Sequence, residues 1–190
     1  MKLLLVKHAP PEIIPEIAAH RWTLSREGRR RCDWLADELR ARGVSRIYSS
    51  LEPKALETAA LVAVRLNLPL EPCPNLHEND RTGLAFVERD ELQWRVRDFF
   101  NEPARIILGT ETANTALMRF GKAVGGVILA ARARHAAIIT HGTVLSLFVA
   151  HHDGGEPFSL WSRLALPSYV MLDAGSLLFD GEVHNHPDAR

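Results

Sequence analysis

Two histidines lie just after short apolar runs, a position from which a side chain can act on a bound molecule. Lys7 and His8 follow the run Leu3–Val6, and His141 follows the run 136–140. Short continuous apolar runs are typical of strands buried on both faces. A neutral imidazole is a good nucleophile near its usual pKa of about 6.5. We therefore interpret both histidines as candidates for chemistry at strand ends.

Lys54 lies where a cation is unfavourable unless an anion binds nearby. It follows Pro53, a residue that fits the first turn of a helix. A cation in that turn opposes the positive end of the helix dipole, at a cost of about 0.3–1 kcal/mol. Either the ammonium is simply solvated, or an anion binds at this helix start with backbone N–H groups and Lys54 as its ligands. Lys7, beside His8, would supply a second cation.

Strand-like runs alternate with longer segments of helical spacing, and this order predicts how the candidate residues are positioned. Strands are expected at 3–6, 45–48, 68–71, 136–140, 169–172 and 176–179, and helices at 26–42, 53–66, 87–101, 111–134 and 143–151. The alternation indicates an α/β fold, a single-domain three-layer α/β/α sandwich with a mostly parallel sheet over residues 1–180. Residues 74–85 are expected to be irregular, and 181–190 to form a loose C-terminal tail. Ligands of such sheets bind outside the carboxyl ends of the strands.

The composition excludes several classes of protein. The chain has 190 residues, the size of one domain, and its 23 Lys and Arg balance its 23 Asp and Glu. This balance lacks the basic surface of a nucleic-acid binder, so no nucleic-acid partner is expected. The cysteines, Cys32 and Cys73, form neither a disulfide framework nor a metal-ligand spacing. The first apolar run is far too short for a membrane span, so we predict a soluble cytoplasmic protein without a membrane partner.

Four segments, in order along the chain, resemble the motifs of the histidine phosphatase superfamily, also called the phosphoglycerate mutase-like superfamily. The family's R-H-G motif corresponds to residues 7–9, and its S-S-P-x-x-R-A-x-x-T-A motif corresponds to residues 49–59. The family's late histidine before glycine corresponds to residues 141–142, and residues 24–28 resemble its L-T-x-x-G segment. Four segments in the right order argue against a chance similarity.

The resemblance implies a phosphoglycerate mutase-like fold and a phosphohistidine intermediate. His8 would be the nucleophile that attacks phosphorus. Lys7 and Lys54 would hold phosphate oxygens, and His141, followed by Gly142, would contact the same phosphoryl group. The phosphoryl group keeps its negative charge through the transition state, so these donors must be in place before reaction.

The resemblance also implies an acid that protonates the leaving oxygen. Within residues 76–80, the family's L-x-E pattern points to Glu78, with Asp80 as a rival. The scheme needs no metal and no cofactor, and the partner it implies is a small phosphorylated substrate or inorganic phosphate.

The chain departs from the family pattern at the phosphate-binding positions. Lys7 and Lys54 replace both family arginines, and Ala9 replaces the glycine after the nucleophile. Lysine keeps the charge but lacks the bidentate fork of arginine. The resemblance implies a metal-independent phosphomonoester hydrolase of the histidine acid phosphatase type. A phosphoglycerate mutase-type phosphotransferase and a weakly active or non-catalytic phospho-ligand-binding relative remain alternatives. The sequence determines neither the substrate nor the pathway, nor whether the protein forms a homodimer.

Overall fold

The alternation of strands and helices predicted from the sequence is present in the computed structural model, which describes residues 1–132 and 134–188. The strands are β1 (Lys2–Lys7), β2 (Arg46–Ser49), β3 (Leu70–Pro72), β4 (Ala136–Thr140), β5 (Ser168–Asp173) and β6 (Phe179–Asn185). The α-helices are α1 (Arg26–Ala41), α2 (Pro53–Leu66), α3 (Arg89–Asn101), α4 (Ala113–Ala131), α5 (Gly142–Asp153) and α6 (Pro157–Arg163), and Ala19–Arg21 form a short 3-10 helix.

All six strands join one sheet in the order β3-β2-β4-β1-β5-β6. The first four of these are parallel, and β5 and β6 run antiparallel to their neighbours. The prediction of a single-domain α/β fold with a mostly parallel sheet is confirmed. The parallel part matters for the site, because the carboxyl ends of β1, β2 and β4 meet at one edge.

Helices cover both faces of the sheet, because the central strands are apolar on both faces. In β1, Leu4 and Val6 pack with the buried residues of α1 and α2, whereas Leu3 and Leu5 pack with those of α3 to α6. Alternate residues of a strand point to opposite faces, so one continuous apolar run contributes to two cores. The result is the predicted three-layer α/β/α arrangement.

A close backbone contact fixes the loop that follows β1. Ser25 caps α1, since its Oγ accepts the N–H of Gly28 at 2.9 Å, and the same Oγ donates to the carbonyl of Pro10 at 3.1 Å. A Cβ on Gly28 would lie 2.1 Å from that carbonyl oxygen. The loop after β1, which contains Pro10, Pro11 and Pro15 and is called the Pro-rich loop below, therefore lies directly on the first turn of α1.

The structure corrects the sequence analysis at the C-terminal end of the chain. A strand at 176–179 is wrong, because β6 begins only at Phe179 and extends to Asn185. The tail predicted from residue 181 therefore begins later, and its last residues, 189–190, lie outside the described part of the chain. The β6 strand is held by pairing with β5 and by stacking of the His184 ring on Tyr169 at 4.5 Å. Its polar sequence carries no apolar alternation that would indicate a strand.

Two helices also differ from their predictions. The helix predicted at 111–134 covers Ala113–Ala131, and Ala133 lies outside the described residues. The α6 helix was not predicted, because its seven residues are too few to show a period of 3.6. Across residues 1–132 and 134–188, none of the helices has the length and apolarity that crossing a membrane requires.

Candidate active site

Two neighbouring strands, β1 and β4, bring the two candidate histidines together. Lys7 pairs with Thr140 in the β1–β4 register, and the N–H of His8 donates to the Thr140 carbonyl at 3.1 Å. His141 follows immediately, so the two imidazole rings lie with their centroids 5.2 Å apart, edge to face. The prediction that both histidines meet at one sheet edge is therefore observed in the geometry.

His8 is held as a neutral imidazole with one nitrogen directed away from the backbone. Its Nδ1 lies 2.8 Å from the Ala9 carbonyl oxygen, which can only accept, so Nδ1 carries the proton and the lone pair is on Nε2. Burial, reinforced by the charges of His141 and Lys54, lowers the pKa of His8 well below its usual range. The N–H of Ala9 donates to Thr58 Oγ1 at 3.1 Å and fixes this short segment.

His141 is fully buried at the start of α5. Its Nε2 lies 2.9 Å from Ser50 Oγ and 3.7 Å from a carboxylate oxygen of Glu52. Burial, together with the charge of Lys54, lowers the pKa of His141 well below its usual range. The second histidine therefore contacts the Ser49–Ser50 segment that precedes α2.

Lys54 is buried, as expected for a cation that serves a site, but it already has a carboxylate partner. Its Nζ donates to the carbonyl of Ala19 at 2.8 Å and pairs with Glu52. The other oxygen of Glu52 accepts the N–H of Glu78 at 2.9 Å. Glu52 is thus a site residue that the sequence analysis missed, because the family motif assigns no role to its position.

Lys7 lies between the sheet edge and α6. Its Nζ donates to the carbonyl of Leu164 at 2.8 Å and lies 5.9 Å from the ring centroid of Trp161. Burial lowers the pKa of Lys7 to about 8. Gly142 leaves room for this side chain, since a Cβ at that position would lie 3.2 Å from Lys7 Cε.

The carboxylate of Glu78 caps α5 from outside the helix. One oxygen accepts the N–H of Val144 at 3.2 Å, and the other accepts the N–H of Thr143 at 3.2 Å. Burial alone would raise the pKa of Glu78, but Arg81, His141 and the Thr143 N–H together hold that pKa below its usual range. The resting carboxyl is therefore ionised near neutral pH.

Asp80, the rival acid, is held at its backbone by the segment before α4, since its N–H donates to a Glu111 oxygen at 2.8 Å and its carbonyl accepts the N–H of Thr110 at 2.8 Å. Its Oδ1 accepts the N–H of Thr82 at 2.9 Å, and this contact lowers the pKa of Asp80. Both carboxyls line the same cleft. The geometry places Glu78 nearer the histidines, since Glu78 contacts the segment that directly follows His141.

Arg81 is a second residue that the sequence analysis missed. Its Nε donates to Asn79 Oδ1 at 3.0 Å, and its Nη2 donates to Thr143 Oγ1 at 3.1 Å and lies 3.7 Å from a Glu78 oxygen. Asn79 is itself buried and donates to the Leu108 carbonyl at 2.7 Å. A guanidinium is therefore present in the site, although both family arginine positions carry lysine.

A cleft of about 470 Å³ collects these groups. His141 lies beneath the cleft surface, whereas Lys7, His8, Lys54, Glu78, Asp80 and Gly142 all line it. Additional lining residues include Pro11, Ala19, His20, Trp22, Glu52, His77, Asn79, Arg81, Thr82, Leu92, Trp161 and Leu166. Within the described part of the chain, no cluster of three or more His, Cys, Asp or Glu side chains could hold a metal ion.

Comparison with known proteins assigns the chain to a family. The family model of the histidine phosphatase superfamily (branch 1) matches residues 4–173. The chain belongs to this superfamily, which confirms the resemblance found in the sequence motifs. No curated protein matches the chain in sequence.

Solved structures, two of them of phosphatases, share this fold at low sequence identity. A mycobacterial glucosyl-3-phosphoglycerate phosphatase in complex with VO3 is 15% identical, with a TM-score of 0.76 over 97% of this chain and 98% of that one. YhfR of Bacillus stearothermophilus is 22% identical, with a TM-score of 0.71 over 94% and 93%. A phosphoserine phosphatase variant of Entamoeba histolytica in complex with phosphoserine is 14% identical, with a TM-score of 0.72 over 90% of each chain. At these identities the likeness shows the fold alone.

Proposed function

We propose that the protein is a metal-independent phosphomonoester hydrolase that acts on a small phosphorylated metabolite through a phosphohistidine intermediate. The observation that carries this proposal is the state of His8. Its Nδ1 is held by the Ala9 carbonyl, its imidazole is neutral, and it lines a cleft shared with Lys7 and Lys54. The lone pair on His8 Nε2 can therefore attack phosphorus without the ring first losing a proton.

The reaction then proceeds in two displacements. His8 Nε2 forms a bond to phosphorus as the ester P–O bond breaks, and the leaving oxygen takes a proton from the protonated form of Glu78 or Asp80. Lys7, Lys54 and His141 stabilise the phosphoryl oxygens, with the Gly142 segment beside them. Water next attacks the phosphohistidine and gives a proton to the carboxylate formed in the first step, which releases inorganic phosphate and restores both the acid and the neutral imidazole.

Phosphatase neighbours support this class of reaction, although at 14–15% identity they name no substrate for this chain. One observation favours a second candidate, a weakly active or non-catalytic relative that binds phospho-ligands. Lys54 is already paired with Glu52, so an incoming phosphate competes with a carboxylate for this ammonium. Phosphate binding without turnover over a broad panel of phosphorylated metabolites would support that candidate.

The test is to trap the intermediate. Wild-type protein incubated with ³²P-labelled substrate and quenched under alkaline conditions should carry label on His8, and His8→Ala should carry none and lose turnover. His20→Ala is the matched control, since His20 is an exposed histidine that also lines the cleft. This variant should still carry label on His8. Turnover should survive EDTA. Full turnover by a folded His8→Ala variant would refute the proposal.

A further inference from the structure

The cleft is much larger than a phosphoryl group, so a second part of it must receive the alcohol portion of the substrate. Its volume of about 470 Å³ falls within the range of about 300–1,000 Å³ typical of small-molecule sites. Most charged and titratable groups of the site lie at the sheet edge, at the start of α2 and in the segment 77–81, and His20 lies in the short 3-10 helix. Apart from Ala19 and the polar residues His20 and Thr82, the rest of the lining is apolar. It comes from the Pro-rich loop, α3, α6 and the segment after α6, and it consists of Pro11, Trp22, Leu92, Trp161 and Leu166.

Trp22 is fixed in this wall with its polar atom already used. The indole N–H donates to the carbonyls of Ile14 at 3.0 Å and Ile17 at 2.9 Å. The ring also lies beside Phe86, at a centroid distance of 6.4 Å. Trp22 therefore offers the cleft an immobilised aromatic surface and no hydrogen-bond donor.

Trp161 is fixed by stacking, on the side of the cleft next to the phosphoryl site. Its ring stacks on Phe158 at 5.7 Å with the planes 21° apart, and the guanidinium of Arg97 lies 4.4 Å from the Phe158 centroid. Lys7 Nζ lies 5.9 Å from the centroid of Trp161. Lys7 immediately precedes His8, and both residues line the same cleft as Trp161. The Trp161 ring therefore lies beside a proposed ligand of the phosphoryl group.

Two of the polar side chains near this wall already make hydrogen bonds within the protein. Asn79 uses its amide nitrogen on Leu108 and its oxygen on Arg81, and Asp80 accepts from Thr82. Two immobilised tryptophans, by contrast, suit a planar ring, because aromatic pairs gain energy beyond their buried area.

We propose that the outer part of the cleft is a subsite for an aromatic leaving group, and that the preferred substrates are phosphomonoesters with an aromatic ring on the ester oxygen or one carbon away. This inference rests on the proposed function, since it needs the phosphoryl group to bind beside His8. It commits to an aromatic ring rather than to any apolar group.

Non-hydrolysable phosphonates test the subsite by binding alone, so leaving-group reactivity does not enter. Isothermal titration calorimetry would compare methylphosphonate, benzylphosphonate and cyclohexylmethylphosphonate on the wild-type protein. Burial of an aromatic ring should make benzylphosphonate bind about tenfold to a hundredfold more tightly than methylphosphonate. It should also bind more tightly than its saturated counterpart.

Matched variants locate the effect. The ratio of benzyl to cyclohexylmethyl affinity should fall towards one in Trp161→Leu and be retained in Trp161→Phe. Trp94→Leu is the control, because Trp94 is an exposed tryptophan of α3 that does not line the cleft. The Phe variant keeps the test informative if the Leu variant fails to fold, because loss of the ratio in a folded Trp161→Phe would also count against the subsite.

The outcomes separate the two proposals. If the wild-type protein binds neither methylphosphonate nor inorganic phosphate, the proposed function fails, and the subsite fails with it. If methylphosphonate binds and benzylphosphonate gains nothing over it or over the saturated ring, the function stands and the aromatic subsite is refuted. Tighter binding of a sugar-bearing phosphonate than of benzylphosphonate would also refute it.

Discussion

Glu52 pairs with Lys54 at the start of α2, and both side chains line the cleft. Glu52 also accepts the N–H of Glu78 and lies 3.7 Å from His141 Nε2. A carboxylate of the protein is thus surrounded by the kinds of donors that a phosphoryl group requires. An incoming phosphate must compete with this internal anion for Lys54.

The first prediction concerns this competition. Glu52→Gln should tighten inhibition by vanadate by about tenfold, because it removes a negative charge beside the binding site while keeping the shape of the side chain. Lys54→Met should weaken the same inhibition about tenfold to a hundredfold, the loss expected for one charge-assisted hydrogen bond. Glu57→Gln is the control, since Glu57 pairs with Arg29 and does not line the cleft. Weaker inhibition in Glu52→Gln would mean that Glu52 chiefly positions Lys54.

The second prediction concerns the pH dependence set by Lys7. Its pKa is lowered to about 8, so the ammonium loses its charge as the pH rises through that value, and kcat/KM should fall with it. Lys7→Arg should remove this alkaline limb, because a guanidinium stays charged there. Lys7→Met should lower kcat/KM about tenfold to a hundredfold at pH 7 and be flat through pH 8. An unchanged limb in Lys7→Met would assign the titration to another group.

The third prediction separates the two candidate acids. An alkyl phosphate needs a proton on its leaving oxygen, whereas 4-nitrophenyl phosphate does not. Glu78→Gln should therefore lower kcat on an alkyl phosphate about a hundredfold or more and have little effect on 4-nitrophenyl phosphate. Asp80→Asn should leave that ratio near the wild-type value. The reverse pattern would make Asp80 the acid.

The fourth prediction concerns Arg81, whose guanidinium lies 3.7 Å from the Glu78 carboxylate. Arg81 is the largest of the influences that hold the pKa of Glu78 below its usual range. Only the protonated acid can donate, so activity on an alkyl phosphate should decline as the pH rises through the pKa of Glu78. Arg81→Met should raise that pKa and shift the decline to higher pH, measured as a pH–rate profile. A profile that does not move would show that Arg81 acts elsewhere in the site.

The fifth prediction concerns the loop after β1, which carries part of the cleft wall. Gly28→Ala should destabilise the protein by about 1–3 kcal/mol, because its Cβ would lie 2.1 Å from the Pro10 carbonyl and force the loop to move. Gly126→Ala is the matched control in an exposed part of α4 with no atom within 4 Å, and should stabilise by up to about 1 kcal/mol. Urea unfolding measures both. Equal effects of the two substitutions would contradict the close contact seen here.

The residues that the sequence could locate are those attached to regular elements. His8 and His141 follow continuous apolar runs, and Lys54 follows a proline at a helix start, so their elements determine where they lie. Glu52 and Arg81 could not be located in this way. By type and spacing they resemble solvated charges. Glu52 lies at the start of α2 and contacts Lys54 and the backbone of Glu78, whereas Arg81 reaches the cleft only because the irregular segment after β3 folds back over the sheet edge. No local pattern encodes the path of such a segment.

The capping of α5 by Glu78 gives one side chain two duties. The carboxylate anchors the irregular segment to the helix, through the N–H groups of Thr143 and Val144, and it is also the proposed proton source. A carboxyl that takes up a proton accepts these hydrogen bonds more weakly. Protonation of Glu78 before reaction would therefore weaken the attachment of this segment to α5, and the attachment would regain its strength once the proton has passed to the leaving oxygen.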